Sequence, residues 1–226
     1  DAQILPGGIV SPLLNILNAR YIIIPQSVVS GRPRADILTL LAHYPVVFQN
    51  DQVRVLENTD AMPRAWIAHD LVYAPASEVA SYLTQPGFDP ARTILLPDDG
   101  RTFTTSPPPS TAAESATITD YDYDQIQLKV TAGSDGMLVL SETYERGWHA
   151  TIDGQPVPVV EAYGVARAIP ITAGEHTVTL TYDPWSLRIG FYISLAAAGV
   201  SLIIIAAFLL DRRNRRRNRE HSIRVV

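Results

Sequence analysis

The stretch that decides the fold lies at residues 137–182 and reads MLVLSETYERGWHATIDGQPVPVVEAYGVARAIPITAGEHTVTLTY. Its segments cluster or alternate Val, Ile, Thr and aromatic residues, and no helical spacing of apolar residues occurs in it. Similar segments begin at residue 116, so about six or seven short strands are expected, which is typical of a β-sandwich. Three dipeptides predict hairpin turns, where positive φ is required: Asp135-Gly136, Asp153-Gly154 and Ala173-Gly174.

Residues 1–97 mix helical and strand signals and predict a small α+β domain. A helix at residues 11–19 begins with Ser11 as its cap, and another at 76–85 is amphipathic. A third helix, at residues 34–44, has one apolar face formed by Ile37, Leu40, Leu41 and Tyr44. Short strands are expected at RYIIIP, VVFQ, VRVLEN, RAWIAH and RTILLP.

Residues 98–115, DDGRTFTTSPPPSTAAES, separate the two β-containing regions. Their Pro, Ser and Thr content and their lack of periodic apolar residues predict a linker, which the three consecutive prolines hold extended. The expected organisation is therefore an α+β domain at 1–97, a linker at 98–115, and an antiparallel β-sandwich at 116–184.

Residues 189–210 form an uncharged run of 22, IGFYISLAAAGVSLIIIAAFLL. A helix needs about 20 apolar residues to cross roughly 30 Å of hydrocarbon. We therefore predict a transmembrane helix at 188–210 in preference to a buried core helix. The basic tail at 211–226 predicts a cytoplasmic C-terminus, because short basic flanks are retained on that side of the inner membrane. Its basic cluster is Arg212, Arg213, Arg215, Arg216, Arg217 and Arg219.

Charge divides at the same place. Residues 1–188 hold 11 Lys+Arg against 21 Asp+Glu, a formal −10, whereas residues 189–226 hold 7 Arg against 2 acids, a formal +5. An acidic periplasmic or extracellular part argues against nucleic-acid binding, which needs a basic surface. The basic tail fits anionic membrane lipid.

Composition also limits the chemistry. The chain has no cysteine, which excludes disulfides, iron–sulfur clusters and thiolate zinc sites. Its five histidines lack metal-binding spacing, and no GxSxG, P-loop or dinucleotide motif occurs. No cofactor, metal or catalytic residue is therefore predicted. The first residues, DAQILPGG, lack leader features, which indicates either a removed leader or the C-terminal piece of a longer chain.

Several motifs together resemble the C-terminal end of the YfhO-type bacterial membrane proteins. In order they are VRVLENTDAMPRAWIAH (residues 53–69), PGFDPARTILL (86–96), and residues 138–194, which contain SETYxxGWxAxIDG, ARAIPxxAGxHxVxLxY and the start of the final spanning helix. The resemblance implies a many-helix membrane protein similar to GT-C glycosyltransferases that use lipid-linked sugars. The family's catalytic carboxylates are expected in N-terminal external loops, so the resemblance assigns none to this sequence.

Three groups of residues are candidates for a site. Trp148 and His149 could contact a glycan, or be a packed Trp and a solvent-facing His, since neighbours on a strand point to opposite faces. Asp120, Asp122 and Asp124 could bind calcium, or form a solvated acidic edge that discourages strand aggregation. The carboxylates of Glu142 and Glu145 could act on a glycoside, or form a structural turn with ion pairs.

The spanning segment carries a patch of small residues, which permit close helix–helix approach in lipid: Ala196, Ala197, Ala198, Gly199 and Ser201. Lipid-facing alanine is the alternative. Two functions remain open from the sequence. The chain is either a non-catalytic accessory or stabilising subunit of a larger membrane complex, or the glycan-positioning region of a YfhO-like transferase. Membrane lipid, an integral-membrane protein and a glycan or lipid-linked sugar are the expected partners.

Overall fold

A computed structural model describes residues 8–31, 33–109 and 113–223, with side chains to Leu210 and at Arg212. Contacts divide the chain into one unit at residues 1–182 and a second at 183–226.

The helices are α1 (Pro12–Ile16), α2 (Gln26–Val29), α3 (Ala35–His43), α4 (Val79–Leu83) and α5 (Trp185–Ile223). The first strands are β1 (Tyr21–Pro25), β2 (Val46–Gln49), β3 (Val53–Glu57), β4 (Ala65–Ala68), β5 (Asp70–Ala74) and β6 (Thr93–Pro97). The later strands are β7 (Ser115–Tyr121), β8 (Gln125–Ala132), β9 (Gly136–Thr143), β10 (Trp148–Ile152), β11 (Gln155–Val157), β12 (Val160–Ala162), β13 (Ala166–Ile171) and β14 (Gly174–Tyr182). The predicted fold class, α+β with antiparallel sheets and one C-terminal apolar helix, is confirmed.

The sandwich consists of two antiparallel sheets. One has the order β11-β10-β14-β8-β7 and the other β12-β13-β9-β4. Alternate residues of β8 point into the space between them, where Ile126, Leu128 and Val130 pack against Leu138 and Leu140 of β9. This alternation is what a strand with one buried and one solvated face requires.

The four-stranded sheet is buried on both faces. Every residue of β4 is buried, and so are Gly136 through Leu140 of β9. The second face packs against α4 and the parallel pair β5–β6 through Leu83, Leu95 and Leu96. Because β4 pairs with β9, a strand from residues 1–97 completes a sheet of the sandwich. The boundary proposed at residue 97 therefore separates two strands, β4 and β9, that belong to one sheet. The apolar AWIA segment of β4 joins this sheet because both of its faces are covered there.

Two of the three predicted hairpin turns are wrong. Only Asp153-Gly154 joins neighbouring strands, β10 and β11, with φ of 51° and 81°. Asp135-Gly136 and Ala173-Gly174 instead carry the chain from one sheet to the other. A turn dipeptide permits the chain to reverse direction, but it does not select the strand with which the next segment pairs. Burial of that apolar segment decides the pairing.

A smaller sheet, β1-β3-β2, forms from the first residues. Helix α3 covers one face of it, where Leu40 and Tyr44 bury Ile24 and Leu56 as the helical spacing predicted. The N-terminal helix α1 begins as expected, because the Ser11 hydroxyl accepts a hydrogen bond from the Leu13 amide at 3.2 Å. The predicted helix at 76–85 is shorter, and spans α4 only.

The predicted linker contains no regular structure over residues 98–109, and residues 110–112 lie outside the described part. It is nevertheless fixed to the fold by hydrogen bonds. The Phe103 amide donates to the Tyr73 hydroxyl at 2.8 Å, and the Thr105 hydroxyl donates to the His69 carbonyl at 2.6 Å. The Ser106 amide donates to the Asp135 carbonyl at 2.9 Å.

The second unit contains α5. Residues Trp185–Leu210 of this helix are long and apolar enough to cross a membrane. The helix continues beyond the apolar segment into the arginine-rich residues as far as Ile223. The structure thus has a helix throughout residues 188–210, and this helix extends beyond that range at both ends.

Candidate functional site

An aromatic and arginine cluster lies at one end of the sandwich. Trp148 and Tyr182 are paired across β10 and β14, with ring centroids 5.2 Å apart. The guanidinium carbon of Arg167, on β13, lies 4.1 Å from the Trp148 ring centroid. The Arg167 side chain is only 5% exposed, so this cation–π contact is shielded from water, where such contacts are strongest.

Glu142 connects two arginines within this cluster. It forms an ion pair with Arg64, and a second carboxylate oxygen lies 3.8 Å from Arg167 Nη2. Arg167 Nε donates to the Thr143 carbonyl at 3.0 Å, while its Nη1 has no partner among the described residues. Burial lowers the pKa of Arg167, and the charge of Glu142 partly offsets that effect. The cluster is a buried ion pair that closes the end of the sandwich.

The structure places Trp148 and His149 on opposite faces of β10. Trp148 is half-buried and packs against the sandwich core, whereas His149 is exposed on the outer face. This is the arrangement expected when a Trp packs and its neighbour faces solvent. The two side chains do not form one glycan-binding surface, although each remains a predicted contact residue.

A polar groove of about 550 Å³ lies on the outer face of the five-stranded sheet. At its end, the Asp153 carboxylate lies 2.8 Å from His176 Nδ1 and accepts from the Thr177 amide at 2.9 Å. The hydrogen bond with His176 lowers the pKa of Asp153. The groove presents the hydroxyl groups of Ser115, Thr117, Thr119 and Thr131, together with the amine of Lys129 and the carboxylate of Glu175.

The three aspartates of the DYDYD segment are all exposed: Asp120 lies near the end of β7, and Asp122 and Asp124 lie in the turn before β8. A register shift between Ile118 and Asp120 interrupts the strand there. Across the described ranges, no group of three or more His, Asp or Glu side chains is placed to hold a metal ion. Asp120, Asp122 and Asp124 thus remain candidates by spacing alone.

Glu145 holds the turn before β10. One of its carboxylate oxygens accepts a hydrogen bond from the Gly147 amide at 2.7 Å. Glu142 is engaged with Arg64 and Arg167, as described above. Both carboxylates therefore have the structural contacts that the turn-and-ion-pair alternative anticipated.

A Ser–His–Glu constellation connects the linker to the sandwich. His69 Nε2 lies 3.1 Å from both Glu114 oxygens, and its Nδ1 lies 3.3 Å from the Ser134 hydroxyl. Ser134 is buried, and its hydroxyl donates to the Ser106 carbonyl at 2.5 Å. The Ser134 hydroxyl thus donates to the backbone of the linker, and these hydrogen bonds tie the linker to the sandwich.

The helix candidates lie on α5. Ala196, Ala197 and Ala198 are exposed, and Gly199 is half-buried. The Ser201 hydroxyl donates to the Ala197 carbonyl at 2.8 Å, which satisfies it within the helix. Arg212 is exposed, while the side chains of the other five basic residues, Arg213, Arg215, Arg216, Arg217 and Arg219, lie outside the described residues.

Sequence reasoning missed an apolar surface on the β1-β3-β2 sheet. The face opposite α3, here called the open sheet face, carries Ile23, Val55 and Phe48 side by side across the three strands. Ile23 is 66% exposed, Phe48 is 52% exposed, and Tyr21 on the same face is 56% exposed. Continuous apolar surface of this kind commonly marks an interaction site. The uninterrupted apolar run YIII could have revealed it, because neighbouring residues of a strand point to opposite faces and one helix covers only one of them.

Comparison with known proteins finds one similarity, over part of the chain. The family model described as "Bacterial membrane protein YfhO" matches residues 110–194, which is less than half of the sequence. The predicted resemblance to YfhO-type proteins is confirmed for that segment, and together with the apolar helix it indicates a membrane location. The motifs at 53–69 and 86–96 lie outside the match. No curated protein and no solved structure matches the chain.

Proposed function

We propose that this chain is a membrane-anchored, non-catalytic module that stabilises a larger membrane complex by docking through the open sheet face. The observation that carries this function is the row Ile23, Val55 and Phe48, in which Ile23 and Phe48 are more than half exposed and Val55 is half-buried. Burying each large apolar side chain contributes about 1.5–3 kcal/mol, so such a face favours a protein partner over water. Helix α5 would anchor the module to the membrane, and its small-residue patch would add helix–helix contact.

The module would lie outside the inner membrane, with the basic tail in the cytoplasm. The six arginines at residues 212–219, directly after the apolar run, support this orientation. We infer that the partner is an integral-membrane protein or another membrane-embedded part of the same polypeptide, because α5 restricts the module to partners in that membrane.

A photo-crosslinking amino acid in place of Phe48 tests the docking in intact cells. We expect a covalent adduct with a membrane-embedded polypeptide. The same replacement at Leu38 is the matched control, because Leu38 is also 52% exposed but lies on α3, which covers the other face of the sheet. Equal adduct yields at the two positions, or no adduct at either, would contradict docking through the open sheet face.

A second function, glycan positioning in a YfhO-like transferase, is favoured by the family match and by the hydroxyl-rich groove. Hydroxyl, carboxylate and amine groups on a sheet can exchange hydrogen bonds with sugar hydroxyls. Titration of the full chain with soluble oligosaccharides should then shift resonances of Thr117 and Lys129. Ten or more apolar spans encoded before Asp1 would support this function, whereas a leader directly before Asp1 would contradict it.

A further inference from the structure

An apolar cavity of about 290 Å³ lies between α4, the β5–β6 pair and the turn joining β12 to β13. It is separate from the open sheet face and from the polar groove. Its walls are mostly aliphatic and include Leu13, Val79, Leu83, Leu95, Leu96 and Val165. Taking liquid water as about 30 Å³ per molecule, the space holds a group of roughly nine or ten heavy atoms.

Small residues create this space. Ala74, Ala76 and Ala80 line it, and the last two are exposed and therefore mark its mouth. A bulkier side chain at any of these positions would occupy volume that the fold leaves open. The cavity is thus a consequence of particular residues and not of loose packing, because Leu83, Leu95 and Leu96 around it are buried.

A strained turn forms one wall. Tyr163 has φ of 54° and Gly164 has φ of 72°, and the left-handed region is unfavourable for a residue with a side chain. The fold maintains this conformation with hydrogen bonds from the Tyr163 hydroxyl to the Pro90 carbonyl at 2.9 Å and from its amide to the Leu95 carbonyl at 2.8 Å. Backbone strain that the surroundings maintain is concentrated at binding and catalytic sites.

One charge faces the cavity. Of the described residues that line it, Glu161 alone carries a charge, and it is half-buried. A carboxylate oxygen of Glu161 lies 4.0 Å from where a Cβ on Gly164 would be, which places the charge at the strained turn. In the described part of the chain, no hydrogen bond or ion pair engages this carboxylate, unlike Glu142, Glu145 and Glu114 nearby in sequence or fold.

We propose that this cavity binds a small amphiphile that carries a protonated amine, with its apolar group in the cavity and its ammonium on Glu161. An apolar pocket with one placed polar group is the usual form of a small-molecule site. An ammonium donates charge-assisted hydrogen bonds to the carboxylate, which a neutral or anionic head group cannot match. The net negative charge of residues 1–188 also attracts cations.

The test uses the full chain in lipid nanodiscs and three six-carbon probes: hexylammonium, hexanol and hexanoate. Trp66 reports binding by fluorescence, because its ring is stacked at 6.4 Å on Tyr163, which lines the cavity. We expect hexylammonium to bind about tenfold more tightly than hexanol, as for a charge-assisted hydrogen bond in a partly dry site, and hexanoate to bind least. Equal affinities for the three probes, or no saturable binding of any, would overturn the proposal.

Two variants assign the effect to the cavity. Glu161→Gln should reduce hexylammonium affinity to that of hexanol, while Ala80→Leu should abolish binding of both by filling the mouth. Ser81→Leu is the matched control, because Ser81 is an exposed residue of the same helix that does not line the cavity. Hexylammonium binding that survives Ala80→Leu, or that Ser81→Leu removes equally, would place the probe elsewhere. If a variant does not fold, the comparison of the three probes on the wild-type chain can still overturn the proposal.

Discussion

At the scale of residues, Arg167 shows how this sandwich closes one end. Its guanidinium is enclosed between the Trp148 ring and the Glu142 carboxylate, and one of its nitrogens has no partner among the described residues. Taking such a charge out of water is costly, and the stacking and ion pairing offset that cost. Arg64 approaches the same carboxylate from the solvent side, stacked on Tyr121 at 4.2 Å. Both arginines thus pair with Glu142 and stack on an aromatic ring, but only Arg167 is buried.

We predict that Arg167→Met lowers the free energy of unfolding by about 3 kcal/mol, because it leaves a partly buried carboxylate with one partner fewer. Arg64→Met is the matched comparison, and should cost no more than about 1 kcal/mol, as exposed ion pairs do. Urea unfolding followed by near-ultraviolet circular dichroism measures both. Equal losses in the two variants would show that burial of Arg167 is not what makes its ion pair important.

Gly136 is required by close packing and not by its φ angle. A Cβ there would lie 2.8 Å from His69 Cε1 and 2.9 Å from Ile67 Cγ2, closer than side-chain carbons tolerate. Gly136→Ala should therefore destabilise the fold by about 1–3 kcal/mol, the range for overpacked cores. Thermal unfolding measures the loss. A wild-type melting temperature in this variant would mean that β4 and β9 can separate without cost.

The hydrogen bond between Asp153 and His176 makes part of the stability depend on pH. Since the pKa of Asp153 is lowered in the folded state, its contribution is present above the unfolded pKa, about 3.9, and is lost as pH falls through the folded value. Asp153→Asn preserves the turn, because Asn tolerates the positive φ of 51° at this position. We expect the stability difference between wild type and this variant to shrink below about pH 4. A difference independent of pH would contradict this account.

At the scale of elements, burial on both faces distinguishes β4 and β9 from the outer strands. Their side chains have no solvated face, so the two strands read as continuous apolar segments, AWIA and GMLVL. The outer sheet alternates instead, with threonine, glutamine and lysine facing solvent. These patterns place the four-stranded sheet between the five-stranded sheet on one side and the α4 and β5–β6 layer on the other.

Helix α5 should be the membrane anchor, and acidic substitutions in it test this. An acidic side chain near the middle of a spanning helix costs about 3 kcal/mol, and should therefore weaken its insertion into the membrane. Two such residues, Ala198→Asp with Leu202→Asp, should release the protein from membranes into the alkaline carbonate extract. The same two positions changed to Leu and Ile, respectively, form the control and should remain in the pellet. If the acidic variant also stays in the pellet, another part of the chain attaches it to the membrane.

At the scale of the whole molecule, the division of charge predicts which side of the membrane each end occupies. The chain has no cysteine, so a single introduced thiol can be labelled without background. A membrane-impermeant maleimide should label Thr117→Cys, which is exposed on β7, in spheroplasts. It should label Ser222→Cys, in the basic tail, only after the membrane is broken. The reverse pattern would invert the proposed orientation.

The sequence by itself determined the local features of this protein. The apolar run at 189–210 predicted its own helix, because length and hydropathy are properties of one segment. The Ser11 cap, the apolar face of α3 and the β-rich region after residue 116 were likewise predictable from neighbouring residues. The YfhO resemblance depended on motifs at 53–69, 86–96 and 138–194, and the family match at residues 110–194 agrees with the last of these.

Only the tertiary structure decided which strands pair and which surfaces remain exposed. Asp135-Gly136 carries the chain between sheets because the apolar segment after it needs cover on both faces, which no dipeptide specifies. The open sheet face and the cavity beside Glu161 exist because α3 covers one side of a small sheet and because three of the residues lining the cavity are alanines. The first is a surface that no helix covers, and the second is a space between packed elements. Local sequence patterns carry no information about surfaces left uncovered or space left unfilled.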